Sequence, residues 1–294
     1  MNRQKIRRVL DQTKDIYNRI APDFSDTRSH WWKGFGDFAK YVRPGDRVLD
    51  LGCGNGRMAE IFTDSKVRYL GIDNSEELIK IAQERFKDKP WVKFEVGDIT
   101  AFVIPSEVEK SFGNESDSSA PLRSGRNDKE DKRSGRNDKE DKRSSGNDNT
   151  KNGFDLVLLV AVLHHLPTKK LRLKVLENIH QALKPGGRLV MVNWNLWQIF
   201  GWKKKFRYWP YLFNWPEKIK CGVWGVSDAF VPWKPAGKET RRYIHSFTKG
   251  ETRRLLRRAG FAIEELEFKA KGDNKKGIMY GDNLLSIAVK NGKM

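Results

Sequence analysis

Apolar positions along this chain recur with two different periods. Ile6, Val9, Leu10, Ile16, Tyr17 and Ile20 fall at helical spacing, so residues 1–43 read as amphipathic helical material, with Pro22 breaking the pattern. From Arg47 the pattern changes. RVLDLG is a short apolar run ending in glycine, and MAEIF is helical. VRYLGID reads as a second strand, and SEELIKIAQERF as a helix with Ser75 at its N-cap. VKFEVGD gives a third strand. FDLVLLVAV gives a fourth, apolar on both faces as a buried parallel strand should be. TKKLRLKVLENIHQAL places Leu171, Val175, Ile179 and Leu183 on one helical stripe. KPGG ends it and RLVMVNW is a fifth strand. ETRRLLRRAGFAIEELEFK then reads as helix and strand, and GDNLLSIAVK as a last strand. Such β–α alternation predicts an α/β fold: a doubly wound, Rossmann-like, mostly parallel sheet with helices on both faces.

Residues 111–152 interrupt the alternation. RSGRNDKEDK at 123–132 recurs unchanged at 133–142, and almost nothing in the segment is apolar. It cannot bury a core and is expected to be disordered. Loop closure costs grow slowly with length, so the fold tolerates it between the third and fourth strands. A spacer made by duplication and a flexible RNA-contacting arm both fit. The chain thus divides into an N-terminal helical segment (1–46), a core in two pieces (47–110 and 153–195), the insert (111–152), a basic Trp-rich segment facing substrate (196–246), and a C-terminal helix with the last strands (247–294).

Charge sharpens this division. The net charge is +19, yet the insert holds ten Lys/Arg against nine Asp/Glu. Residues 194–258 hold fifteen against four, so the excess sits there. A basic surface attracts polyanions, RNA among them. Seven of the ten tryptophans fall in the same stretch: Trp194, Trp197, Trp202, Trp209, Trp215, Trp224 and Trp233, interleaved with Lys203, Lys204, Lys205 and Arg207. An RNA-stacking platform, an apolar lid and a membrane-interface element all match that composition. No apolar run is long enough for a membrane span, and MNRQKIRRVLDQTKDIYNRI lacks the apolar stretch of a signal peptide. Two cysteines, Cys53 and Cys221, build neither a disulfide framework nor a zinc site. A cytoplasmic protein without a metal centre is expected; the sequence sets no oligomeric state.

Candidate chemistry concentrates at strand ends. VLDLGCGNGRM places Asp50 on a strand, and Gly52, Gly54 and Gly56 in the turn after it, where glycines let the backbone approach a ligand. Alone, that turn could serve a dinucleotide, a phosphate or nothing, and Asp50 could simply cap it. Its G-x-G-x-G spacing is not the dinucleotide fingerprint, and there is no phosphate-loop motif. The second strand ends in Asp73, placed for ribose hydroxyls, and the third in Asp98-Ile99, placed for an adenine.

These blocks resemble the class I S-adenosylmethionine methyltransferases, across about 47–110 and 153–195. The resemblance implies a seven-stranded sheet whose last hairpin is antiparallel, with S-adenosylmethionine as cofactor. It implies that Asp50 contacts the amino-acid end, Asp73 with Asn74 the ribose, and Asp98 with Ile99 the adenine. Gly52, Gly54 and Gly56 form the floor, and Val160 and Ala161 border the sulfonium.

The flanks narrow the likeness. IYNRIAPDFSDTR (16–28) and RYIHSFTKGETRRLL (242–256) resemble the eukaryotic tRNA methyltransferases that esterify 5-carboxymethyluridine at the wobble position. The second block departs at Ile244, where those enzymes carry Tyr. The resemblance implies a tRNA anticodon loop as partner, and that family uses a small zinc-binding activator protein. A carboxylate acceptor is already ionised and needs alignment more than a base. Arg28 and Arg242 are candidates to grip it. A carbon nucleophile would want an added cysteine, and neither cysteine suits. An amine or phenol acceptor, as in a small-molecule methyltransferase with an aromatic lid, would want a base, which His165 or His245 could supply. His164 neighbours the first. His180 and His30 read as structural or surface. A non-catalytic RNA- or partner-binding protein on the same fold is a further alternative.

Overall fold

The apolar runs become strands of one sheet. In a computed structural model, residues 1–28, 38–101, 153–198, 208–223, 225–233, 240–270 and 281–291 are described. The 111–152 insert, His30, Trp202, Lys203, Lys204, Lys205, Arg207 and Trp224 lie outside them. Strands β1 (Arg47–Leu51), β2 (Arg68–Asp73), β3 (Val92–Val96), β4 (Phe154–Val160) and β5 (Leu183–Trp194) run parallel, and β8 (Phe261–Lys269) and β9 (Asn283–Lys290) close the sheet. The order is β3-β2-β1-β4-β5-β9-β8, with β9 antiparallel to both neighbours. Strand order reverses between β1 and β4, where open α/β sheets form their binding crevice.

Period-two alternation sends side chains to two cores. Leu49, Leu70, Val157, Leu159 and Met191 pack on one face against helices α3 (Lys169–Ala182) and α6 (Lys249–Arg258). Val48, Tyr69, Leu156, Leu158 and Val190 pack on the other against a 3-10 helix (Arg57–Phe62) and α2 (Glu76–Arg85). Ser75 accepts from Leu78 N at the start of α2, and Thr168 from Leu171 N at the start of α3.

Two local expectations need correction and one is refined. Helix α1 (Arg3–Asp26) runs through Pro22 instead of breaking there. Its last turn closes on backbone bonds from Thr27 N–H to the Asp23 and Ser25 carbonyls, so Pro22 costs it only one donor. MAEIF is helical as expected, though as a 3-10 helix. KPGG lies inside β5, where Phe154 pairs with Leu183 and the ladder then jumps register to Leu156 and Arg188.

The 196–246 segment builds a second small layer. Helices α4 (Trp209–Leu212) and α5 (Trp215–Cys221) precede a hairpin, β6 (Asp228–Trp233) and β7 (Thr240–His245), paired antiparallel. One side of the hairpin meets Val9 of α1 through Phe230 and Tyr243. The other packs Ala229, Val231 and Ile244 against Leu196 and Leu212, with Trp194, Trp197 and Trp209 around them. Those three tryptophans are therefore walls of a satellite core, not an open stacking platform. Among the described residues no helix is long and apolar enough to cross a membrane.

Candidate active site

A cavity of about 330 Å³ opens at the carboxyl ends of β1 and β4, roofed by α1. Its floor follows from β1. Gly52, Gly54 and Gly56 all have positive φ (75°, 56° and 74°), a region that L side chains rarely enter. A Cβ on Gly52 would stand 2.2 Å from Val162 Cγ2, so that turn admits nothing larger. Gly52 and Gly54 line the cavity. Gly56 does not; it makes room for the Phe94 ring, 2.7 Å from where its Cβ would be. Ala161, also on the lining, is a non-glycine residue at φ 61°, a strained backbone of the sort that collects at functional sites.

Asp50 is 1% exposed. Its Oδ2 accepts from the Tyr69 hydroxyl at 2.5 Å, while Oδ1 is buried with no hydrogen-bond partner. Burial pushes its carboxyl up to about 7. A buried acceptor oxygen on a cavity wall is costly unless a donor meets it, so it marks where a cationic ligand group belongs. Asp73 is differently employed. Its Oδ2 accepts from Gly54 N (2.9 Å) and its Oδ1 from Ser75 N (2.8 Å), clamping the glycine turn to β2. Burial raises its carboxyl, opposed by those amides. It stands behind the lining, whereas its neighbour Asn74 reaches the cavity, as do Asp98, Ile99 and Val160. Asp98 also accepts from Thr100 N at 2.7 Å, which turns the chain around the far end of the cavity.

The opposite wall comes from α1. Leu10, Tyr17 and Phe24 recur every seven residues and all face the cavity. Leu10 falls in the apolar helical stripe and Tyr17 and Phe24 in the 16–28 block, but none was singled out for the site; the sevenfold spacing was the available signal. Arg57 and Trp194, also on the lining, were not anticipated as site residues. Asn18 accepts from Ser75 Oγ at 2.7 Å and Lys14 pairs with Glu76 at 3.0 Å, tying α1 to α2.

His165 reaches the cavity, but both its nitrogens are engaged. Nδ1 lies 2.8 Å from the Tyr243 carbonyl, which can only accept, so Nδ1 carries the proton. Nε2 then accepts from the Tyr17 hydroxyl at 3.0 Å, and that hydroxyl accepts from Arg242 Nη1 at 3.0 Å. Burial, then the nearby Arg242 charge, lowers His165 to about 3. His164 is fully buried behind it, and burial drives it well below the usual imidazole range.

Arg242 is 2% exposed and sits over the rings of Trp233 (4.6 Å), Trp194 (5.1 Å) and Tyr17 (5.7 Å). Arg28 lines the cavity, stacked on Trp233 (4.3 Å) and Phe24 (4.6 Å). Burial, with a contribution from the Arg242 charge, lowers Arg28 to about 10. Neither guanidinium pairs with a carboxylate among the described residues, and Arg242 Nε is buried without a partner.

His245 is not brought to this cavity, contrary to its expected catalytic place. Its Nδ1 faces Asp228 Oδ1 (2.6 Å) and its Nε2 faces Glu251 Oε2 (2.9 Å). Arg172 completes the cluster, 3.8 Å from Asp228 and 3.5 Å from Glu251. Alternation explains the separation: Arg242 and Ile244 leave β7 on one face, Tyr243 and His245 on the other.

A seven-stranded sheet with one reversed strand, a glycine turn after β1 and polar groups at the ends of β2 and β3 define the S-adenosylmethionine-dependent methyltransferase fold. The methyltransferase domain family matches residues 14–266, and the chain belongs to it. An S-adenosylmethionine-dependent methyltransferase from Methanosarcina mazei superposes with TM-score 0.56 at 20% identity, covering 86% of this chain and 96% of that one. The methyltransferase-like chain bound to the Haloferax volcanii Trm112 methyltransferase activator gives 0.55 at 16% identity, covering 96% and 99%. Among sequences, the tRNA (carboxymethyluridine(34)-5-O)-methyltransferase of Schizosaccharomyces pombe is 24% identical over 270 residues, covering 85% of this chain and 88% of that protein. The Xenopus tropicalis enzyme of the same activity is 28% identical over 193 residues, covering 66% of this chain. The chain spans only 22% of that protein and 29% of a bovine relative. S-adenosylmethionine fits the site: the orphaned Asp50 Oδ1 suits its ammonium, and the glycine floor admits close backbone approach.

Proposed function

We propose that this domain methylates a carboxylate carried on RNA, forming the methyl ester of 5-carboxymethyluridine at the tRNA wobble position. The observation that carries the reading is the pair Arg28 and Arg242, one half-buried and one buried guanidinium sharing Trp233, with no carboxylate paired to either among the described residues. Burying a cation is expensive unless something anionic arrives, and a guanidinium fork matches a carboxylate. The names of the Schizosaccharomyces pombe and Xenopus tropicalis relatives support the same acceptor.

The chemistry agrees. S-adenosylmethionine supplies an electrophilic methyl group on a positive sulfur. Asp50, Asn74 and Asp98 would hold it along the strand ends, with Gly52 and Gly54 beneath. Arg28 and Arg242 fix the acceptor carboxylate, and Tyr17 and Trp194 wall it from water. His165, protonated on Nδ1 and accepting on Nε2, is not a free base. An acceptor that is ionised before it arrives therefore suits this site better than an amine or phenol. The anticodon loop is the partner on this reading. A small activator, of the kind bound to the Haloferax volcanii chain, is a candidate second partner.

The test is nucleoside mass analysis of tRNA bearing 5-carboxymethyluridine after incubation with isotopically labelled cofactor. Label is expected in a base-labile methyl ester and is lost in Arg242→Gln. No label in any wobble uridine would sink the reading.

A further inference from the structure

Some surface charges of this domain are paired locally. On α2, Glu77 holds Lys80 and Glu84 holds Lys87, each at 2.7 Å. At the other edge of the sheet Arg188 meets Glu264 and Lys269 meets Glu265. Helix α6 gathers four cations within two turns. Arg253, Arg254, Arg257 and Arg258 are all exposed, and none makes an ion pair or side-chain hydrogen bond among the described residues. The two i,i+4 pairs, Arg253 with Arg257 and Arg254 with Arg258, set like charges one turn apart, which disfavours the helix. Placement near the helix C-terminus suits Arg257 and Arg258 but leaves the other two unexplained.

Helix α3 packs beside α6 through Val175, Leu176, Leu255 and Leu256 and the Arg172–Glu251 pair. It begins with exposed Lys169 and Lys170, just past His165 on the cavity wall. The exposed basic surface therefore includes both the start of α3 and the outside of α6. Apolar anchors are missing from it: among the described residues the exposed large apolar ones are Met1, Trp91, Val96, Phe213, Trp215, Ile219 and Val226, none on α3 or α6. A membrane surface or a protein partner would call for such anchors; a phosphate backbone calls only for cations.

We propose that the outer face of α6, continued by the start of α3, is the docking track for the phosphate backbone of the RNA substrate. This rests on the RNA reading above and adds where the RNA lies. Phosphate contacts set register without reading sequence, so the track positions the loop while the cavity selects the base.

The test compares the full chain with the quadruple variant Arg253→Gln, Arg254→Gln, Arg257→Gln, Arg258→Gln, since Gln keeps helix propensity. Binding to unmodified tRNA is measured across a salt series. Each released contact contributes about 0.7–0.9 to the log–log slope, so the variant slope should flatten by roughly 3. Cofactor affinity by calorimetry should stay within twofold, which certifies folding. A normal wild-type slope unchanged in the variant overturns the track but leaves the RNA reading standing. No salt-dependent tRNA binding by the wild type overturns both. Loss of binding to phosphatidylserine vesicles with an unchanged tRNA slope assigns the face to a membrane and also overturns the proposal.

Discussion

Arg172→Met is the most decisive probe of how the β6–β7 hairpin is held. Arg172 is buried, its side chain 4% exposed. Its Nε donates to the Leu166 carbonyl at 2.9 Å and its Nη2 to the Tyr243 hydroxyl at 3.0 Å, and that hydroxyl donates to Asp228 at 2.5 Å. His245 faces a carboxylate at each nitrogen. The cluster thus sets Arg172 and His245 against Asp228 and Glu251. Methionine preserves length and the packing on Phe247, whose ring lies 5.4 Å from the guanidinium carbon, but leaves one buried negative charge uncompensated. Breaking a buried pair costs about 3–5 kcal/mol. For a domain of this size that lowers Tm by roughly 6–20 °C.

The pH dependence follows with a definite sign. Burial alone would raise Asp228 and Glu251, yet the His245 hydrogen bonds and charges of His245 and Arg172 hold both below their usual range. A depressed carboxyl contributes stability above its unfolded value, about 4, and loses it as pH falls through the folded value. The gap between wild type and Arg172→Met should therefore be full at neutral pH and narrow below about pH 4. Urea unfolding, run stepwise from pH 7 into acid, measures it. A loss under about 1 kcal/mol at pH 7, or a gap constant into acid, refutes the argument.

Two further outcomes are expected at the cavity. Because burial lifts Asp50 to about 7, its ionised form is depleted below that pH, and S-adenosylmethionine affinity should weaken by up to about tenfold per unit as pH falls under 7. Calorimetry across pH 6–8 checks this, and Asp50→Asn should bind weakly with that slope gone; a sloped Asn variant would contradict it. Tyr17→Phe removes the hydroxyl between Arg242 and His165 while keeping the ring. A hydrogen bond to a charged group is worth about 1.5–3 kcal/mol, so turnover on tRNA should fall about 10- to 100-fold, with cofactor affinity changed far less. Single-turnover assays beside calorimetry separate the two.

The cofactor half of the site was legible because its geometry is local. A strand followed at once by Gly52, Gly54 and Gly56 needs only neighbouring residues to specify a tight turn, and Asn74 and Asp98 follow strand ends that hydrophobic period already marks. Asp73, expected to hold the ribose, also has two backbone amides within reach and clamps the glycine turn to β2, a role the sequence did not show. On the other side of the cavity, Arg28 and Arg242 were legible from the two flanking blocks, but what surrounds them was not. Tyr17 and Arg242 touch across 225 positions, and Trp194 and Trp233 come from two further segments. Tryptophan density suggested a stacking surface, but the small helices and hairpin need their own core, and Trp197 and Trp209 supply it.

The tail block shows most clearly why a motif underdetermines its residues. Four neighbours on β7 divide between two jobs because alternate side chains point opposite ways. Arg242 faces Tyr17, Trp194 and Trp233, while Tyr243 and His245 face Arg172 and Asp228. Tyr243 nonetheless joins the two sides. Its hydroxyl belongs to the ion cluster, and its backbone carbonyl accepts from His165 Nδ1, which leaves Nε2 to accept from Tyr17 and so orients the hydroxyl under Arg242. Any change that loosens the cluster therefore reaches the acceptor site through one strand and three hydrogen bonds. A residue such as His245 can then matter to turnover without touching the cavity, which is why membership of a functional block and a place in the chemistry are separate findings.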